Sequence, residues 1–168
     1  MGDKDEARRT MIAAGVPVIP GCDVVETLEK ARAEAEKLGF PLLIKARSGG
    51  GGRGIRLVNS MGEFDNAWQT ASSEAASAFG DGAVYLERFL SPVKHIEMQL
   101  IADQQGNVVC LGERECSMQR KNQKLLEESP SPVITPEQRA EMIRVSTAAA
   151  KAVGYENAGT IEFLYDKE

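Results

Sequence analysis

The segment Pro41-Leu-Leu-Ile-Lys-Ala-Arg-Ser-Gly-Gly-Gly-Gly-Arg-Gly-Ile-Arg-Leu-Val58 decides how this chain is read. An apolar run ends at Lys45. The glycines Gly49, Gly50, Gly51 and Gly52 then lead to Arg53 and Gly54, and Ile55-Arg-Leu-Val58 resumes an apolar pattern. The pattern is strand, glycine loop, strand. Glycine lets the backbone take positive φ and approach a ligand with no Cβ in the way. Successive free N–H groups form a concavity suited to phosphate oxygens, and Lys45 at the strand end adds a compact positive charge. It is not a Walker loop, because no Gly-Lys-Ser/Thr follows and no helix opens there. A plain surface hairpin has the same glycine content; Lys45 and Arg53 favour phosphate binding.

The chain has 168 residues, enough for one domain or two small ones with a real core. Its apolar content of 42% and charged content of 27% are those of an ordinary soluble protein. A net charge of −5 argues against a nucleic-acid-binding surface. The cations cluster locally instead, at Arg47/Arg53/Arg56 and Arg114/Arg120/Lys121/Lys124, as anionic small molecules require. Cys22, Cys110 and Cys116 show no metal-ligand spacing and read as reduced thiols. No apolar run is long enough to cross a membrane and no signal peptide is evident, so the expected location is cytoplasmic.

Residues 3–14 read as a helix with Asp3 as N-cap and Gly15 as stop, and Thr27 to Leu38 as a second closed by Gly39. Ser60-Met-Gly-Glu63 is a capping box opening a helix to about Phe79. Val84 to Leu90 is a strand. His95 to Ala102 alternates, with Ile96, Met98, Leu100 and Ala102 on one face and His95, Glu97 and Gln99 on the other. Val108 to Arg114 is its hairpin partner, and residues 116–132 read as a long polar loop. Thr135-Pro-Glu-Gln138 caps a helix to about Val153, and Ala158 to Tyr165 is a final strand. The absence of a return strand after Asp166-Lys167-Glu168 suggests a piece of a longer protein.

Several polar groups stand out. His95 is the one histidine, and it shares a strand face with Glu97 and Gln99. Glu162 lies among Ile161, Phe163 and Leu164, where a carboxylate must be paired, metal-bound or at a strand end. Metal or ribose contact and a structural ion pair both fit it. Glu87 and Arg88 read from pattern alone as solvent-facing alternation. The cations and amides of Ser117 to Lys124 are equally consistent with a solvated loop.

The ordered set Met1-Gly-Asp-Lys4, Ala14-Gly-Val-Pro17, the Lys45 glycine loop, Tyr85-Leu-Glu-Arg88, His95-Ile-Glu-Met-Gln99, Glu113-Arg-Glu-Cys-Ser-Met-Gln-Arg120, Gln123-Lys124 and Gly159-Thr-Ile-Glu-Phe163 closely resembles the ATP-grasp core of biotin carboxylase over essentially the whole chain. The resemblance implies an α+β ATP-grasp fold: a linking helix at 1–16, a small antiparallel lid lobe at 17–88, and an incomplete second lobe at 89–168. It implies ATP-dependent carboxylation of biotin by bicarbonate through carboxyphosphate, as in acetyl-CoA carboxylase and fatty-acid synthesis, with Mg²⁺ (or Mn²⁺) as cofactor. Lys4, Lys45 and the glycine loop 49–54 would meet the phosphates. Glu87 and the backbone from Arg88 to Leu90 would bind adenine, with Leu164 packed against it. His95, Gln119 and Asn122 would line the nucleotide site, Lys124 would lie near bicarbonate and the transferred phosphoryl group, and Glu162 would be a metal ligand.

Two departures accompany the resemblance. Many relatives have Lys where this chain has Arg88, and His where it has Asn122, which cannot carry a proton. Residues that the family places before Met1 and after Glu168, the catalytic base among them, are not in this chain, so the isolated chain is expected to be inert. The implied partners of the parent are a biotin carboxyl carrier protein and a carboxyltransferase, in a homodimer, with no nucleic acid and no membrane. Pyruvate carboxylase, propionyl-CoA carboxylase, carbamoyl-phosphate synthetase and a non-catalytic nucleotide-binding fragment are the competing readings.

Overall fold

The computed structural model describes residues 4–48, 54–120 and 123–166, apart from the side chains of Lys4 and Asp5. Helix α1 (Lys4–Ala13) ends before Gly15, which takes φ +69° as expected of a stop. The chain forms two compact units, one comprising the residues through Arg9 with Val18–Phe89, the other Thr10–Pro17 with Leu90 onward.

In the first unit, α2 (Leu28–Leu38) and α3 (Met61–Phe79) cover a three-stranded antiparallel sheet. Its strands β1 (Leu42–Ala46), β2 (Ile55–Val58) and β3 (Val84–Arg88) lie in the order β2-β1-β3. Thr27 caps α2 by accepting a hydrogen bond from Lys30 N at 3.4 Å, and the helix buries Ala31 and Ala35. The period of two sends Leu42, Ile44 and Ala46 inward, fully buried, with Val58, Val84, Leu86 and Phe64. Each such large side chain contributes about 1.5–3 kcal/mol by leaving water. The expected capping box at Ser60 forms only in part. Ser60 makes no side-chain cap, whereas the Glu63 carboxylate accepts from Asn59 N at 3.2 Å. β3 ends at Arg88, short of Leu90; Arg88 N donates to Pro20 O and Phe89 N to Pro41 O, and Pro41 has no N–H to carry the ladder further. Gly54, at φ +71°, accepts from Ala46 N at 2.9 Å, and a Cβ there would stand 2.9 Å from that of Ala46.

In the second unit, β4 (Val93–Ala102), β5 (Val108–Arg120), β6 (Gln123–Glu128) and β7 (Asn157–Asp166) form an antiparallel sheet in the order β6-β5-β4-β7. Helix α4 (Pro136–Ala152) carries the capping box read at Thr135 and Gln138. It lies on the apolar face, where Ile96 and Met98 pack with Ile134 and Met142, and Val145 and Ala149 with Val16. Buried Glu113 on β5 takes a bidentate bond from Arg139 of α4, with Nη2–Oε1 at 2.6 Å. That guanidinium holds the Glu113 carboxyl below the usual range.

The long loop expected at 116–132 is not there. β5 runs on to Arg120, and β6 returns beside it with Gln119 opposite Lys124 and Glu115 opposite Glu128. The residues are polar because they satisfy one another across strands. Register shifts between Glu115 and Gln119 also break the strict alternation by which a strand is recognised. All three cysteines are free; Cys116 is buried, which pushes its thiol up. No helix among the described residues is long and apolar enough to cross a membrane.

Candidate functional site

The first unit turns one face of its sheet away from the helices. Alternation along β1 puts Leu43 and Lys45 on that face, and antiparallel register sets Lys45 beside Ile55 and Tyr85, and Leu43 beside Leu57 and Glu87. Ile55 and Leu57 are exposed. The Lys45 ammonium pairs with the Glu87 carboxylate, both mostly buried. Glu87 is therefore not the solvent-facing residue that its pattern suggested. A flat apolar strip with a charged pair at its edge suits a ligand with an apolar face and polar substituents. At the root of the glycine loop, Asp81 accepts from Arg47 Nε, Ser48 Oγ and Ala83 N, each at 3.1 Å, and the Ala83 N–H leads in holding its carboxyl low.

The second unit builds a polar network on the face of its sheet away from α4. Register places Glu97 in the middle of a row, beside Arg114 of β5 on one side and Glu162 of β7 on the other. Glu97 is 4% exposed, yet both of its oxygens face a cation: Oε2 is 3.1 Å from Arg114 Nη2, and Oε1 meets Lys124 Nζ. A carboxylate this deep persists only because it is so paired. Arg114 also donates to Gln99 Oε1 at 3.0 Å and stands 3.4 Å from Glu127. The Gln99 amide is oriented in turn by donation to Gly159 O at 2.9 Å. Lys124 donates to Glu162 Oε1 at 3.0 Å. His95 Nε2 lies 3.6 Å from Glu162 Oε2, and its Nδ1 is 2.7 Å from Gln119 Nε2.

Arg114 and Lys124 thus face three carboxylates, Glu97, Glu127 and Glu162, and the excess negative charge ends at Glu162, 55% exposed. An exposed carboxylate oxygen beside donors able to turn towards an anion is what a magnesium-bound polyphosphate requires. His95, Glu97 and Glu162 offer ligand atoms within 4.8 Å of one another, as do Glu97, Cys116 and Glu127. In both groups Glu97 is already committed to the two cations.

Of the residues singled out from sequence, His95, Gln119, Lys124 and Glu162 are brought together in the second unit, and Lys45 and Glu87 in the first. Glu162 is ion-paired with Lys124. Leu164 is exposed and sits opposite His95 in the register. Arg88 is exposed and Leu90 half-buried, and the Arg88 N–H is taken by Pro20 O. The side chain of Lys4, the residues Gly49 to Arg53, and Asn122 lie outside the described residues; Gly54 closes β2 onto β1. Sequence reading placed Arg114 in a cation cluster and Glu97 beside His95 on one strand face, but gave no site role to either, to Glu127, or to Leu43 and Ile55 in the first unit. For Glu97 the signal was available, since it faces away from a fully apolar stripe in the middle of a long alternating strand.

The description of the family model that matches residues 3–168 is the carbamoyl-phosphate synthase L chain, ATP binding domain. The chain is 54% identical to the chloroplastic biotin carboxylase of Arabidopsis thaliana over 99% of its own length and 31% of that protein's. It is 50% identical to biotin carboxylase 1 of Bacillus subtilis, over 99% of itself and 37% of that protein. With a pyruvate carboxylase subunit of Methanothermobacter thermautotrophicus the identity is 51%, over 98% and 34% of the two chains. The chain therefore spans about a third of the length of these relatives. Its structure matches the biotin carboxylase of Campylobacter jejuni in a βγ-ATP complex at a TM-score of 0.93 and 48% identity, covering 99% of this chain and 38% of that one. It matches the dimeric biotin carboxylase domain of Hydrogenobacter thermophilus 2-oxoglutarate carboxylase, in complex with MgADP, ADP and bicarbonate, at 0.91 and 46%, covering 99% and 37%. The mixture of helices and antiparallel sheets is that of the biotin carboxylase ATP-grasp structures, as the resemblance implied.

Proposed function

Because the chain belongs to the family of the carbamoyl-phosphate synthase L chain ATP-binding domain, we propose that it is the nucleotide-binding segment of a biotin carboxylase. The parent enzyme carboxylates biotin on a carrier protein with MgATP and bicarbonate, through carboxyphosphate. The observation that carries this reading is the Lys124 ammonium held between buried Glu97 and exposed Glu162. Phosphoryl transfer depends on positioning and charge neutralisation more than on covalent chemistry. A lysine with one fixed and one exchangeable partner supports both. Glu97 keeps its stem in place, and the ammonium can leave Glu162 for an anionic oxygen of bicarbonate or the transferred phosphoryl group.

Glu162 fits a magnesium ligand, because Mg²⁺ takes one or two carboxylates and completes its shell with phosphate and water. Bound Mg²⁺ would neutralise phosphate charge. In the first unit, Lys45 serves the phosphates and Glu87 accepts from the adenine amine, with Leu43 and Ile55 as an apolar wall. In the second, we assign His95 and Gln119 as polar contacts of the nucleotide and Leu164 as an apolar one. We favour acetyl-CoA as the final acceptor of the parent, a homodimer. The identity with the Methanothermobacter pyruvate carboxylase protein supports pyruvate as the second reading.

Calorimetric titration of the chain with MgATP tests the site. Saturable binding is expected, weakened at least tenfold by Lys45→Ala, roughly 1.4 kcal/mol. Binding that Lys45→Ala leaves unchanged would refute the role of Lys45, and a native chain that takes up no nucleotide would refute a site preformed in this segment.

A further inference from the structure

The Gln119 side chain makes two contacts that constrain each other. Its amide nitrogen lies 2.8 Å from the carbonyl oxygen of Cys116 and 2.7 Å from Nδ1 of His95. A carbonyl oxygen only accepts, so the atom facing Cys116 is the NH₂ group. Turning the amide over would set two oxygens against each other. The same NH₂ has only N–H to offer His95, so Nδ1 must accept and carry no proton. The proton of the neutral ring is then on Nε2, which points to Glu162 Oε2 at 3.6 Å. The backbone of His95 is held as well, its N–H donating to Ser117 Oγ at 3.0 Å. Ring and amide are thus both tied to the segment Cys116 to Gln119 of β5.

We propose that Gln119 is a positioning residue that locks His95 in the Nε2–H tautomer. In that state His95 donates a hydrogen bond to an anionic oxygen and is lost as a metal ligand from the His95–Glu97–Glu162 group. A histidine with two carboxylates would otherwise suit a transition metal. With Nε2 protonated and Glu97 held by Arg114 and Lys124, the cation is left with carboxylate oxygen, the ligand that hard Mg²⁺ prefers. Gln119 thereby selects the class of metal without touching it. Only the identity of the oxygen that receives the Nε2–H bond rests on the nucleotide reading; the tautomer does not.

The chain's one histidine gives a single imidazole spin system. Long-range ¹H–¹⁵N correlation at about pH 8.5, where an ordinary imidazole is neutral, reads the tautomer directly. The expected result is a pyridine-type Nδ1 and a pyrrole-type Nε2. The reverse pattern, or an average of the two, would overturn the proposal on the native chain alone. In Gln119→Met, similar in length but unable to donate, the signals are expected to average, and added Zn²⁺ should shift Nε2 as a ligated nitrogen, which it should not do in the native chain. A variant that keeps the native pattern, or a native ring that ligates Zn²⁺ through Nε2, counts against the lock. Failure to bind MgATP with the tautomer intact would refute a nucleotide site preformed in this segment and leave this inference standing.

Discussion

Removing Arg114 should harm the second unit more than removing the charge of Glu97 that it neutralises. In Arg114→Met, the Glu97 carboxylate stays 4% exposed with Lys124 on one oxygen and an apolar chain against the other. Stripping one partner from a buried ion pair costs about 3–5 kcal/mol. Because Lys124 remains, the lower end applies, about 3 kcal/mol. In Glu97→Gln, by contrast, each cation keeps a second carboxylate, Lys124 with Glu162 at 3.0 Å and Arg114 with Glu127 at 3.4 Å. Both are about 30% exposed and can turn towards water, so the expected loss is about 1–2 kcal/mol. The double variant removes the stranded charge together with its missing partner, and should be more stable than Arg114→Met by about 1 kcal/mol or more.

Hydrogen exchange on peptides from β4 and β5 reads these differences where they arise. When reclosing outruns exchange, each 1.4 kcal/mol is tenfold in rate. Arg114→Met should then speed the slow amides of 93–102 and 108–120 roughly 100-fold, Glu97→Gln roughly tenfold, and the double variant should recover part of the difference. Equal losses for the two single changes, or strict additivity in the double, would refute the claim that Glu97 is a buried charge held by Arg114.

Three further outcomes follow from the geometry. Glu113 has its carboxyl held low by Arg139, so the unfolded chain takes up its proton first on acidification. Its contribution is therefore complete above the unfolded value, about 4.3, and is lost as pH falls towards the lower folded value; Glu113→Gln should flatten urea midpoints measured across that window. Gly54→Ala meets both φ +71° and a 2.9 Å approach to Ala46 Cβ, and should lower the urea midpoint of the first unit, followed by Trp68 fluorescence, by about 1–3 kcal/mol equivalent. Thr135→Ala removes the bond accepted from Gln138 N at 3.3 Å, and should raise exchange at the start of α4 by roughly fivefold, about 1 kcal/mol.

The elements legible in the sequence were those whose signals are local. Thr135 and Gln138 announce their capping box, Gly15 and Gly39 follow their helices at positive φ, and the period of two from Ile96 to Ala102 buries one face. The strand residues 116–120 and 123–128 were hidden because their polar side chains are satisfied by partners on other strands. Glu127 is matched to Arg114, and Lys124 to Glu97 and Glu162. Register shifts then removed the alternation that would have marked them despite their polarity.

The same physics explains which part of the site went unread. His95, Lys124 and Glu162 stand out because each is rare or costly in its local context. Glu97 and Arg114 look like ordinary outward positions until register places them side by side, and only then does the alternating polar face become a row of charge with Glu97 buried in its middle. An antiparallel sheet makes such a row from residues 17 and 65 positions apart from Glu97, Arg114 and Glu162, with no loop to signal either. Glu162, exposed at one end of the row, can exchange its partner, and Glu97, buried in the middle, cannot. Lys124 bridges them, and that asymmetry of burial lets one lysine be both anchored and free to engage an anion.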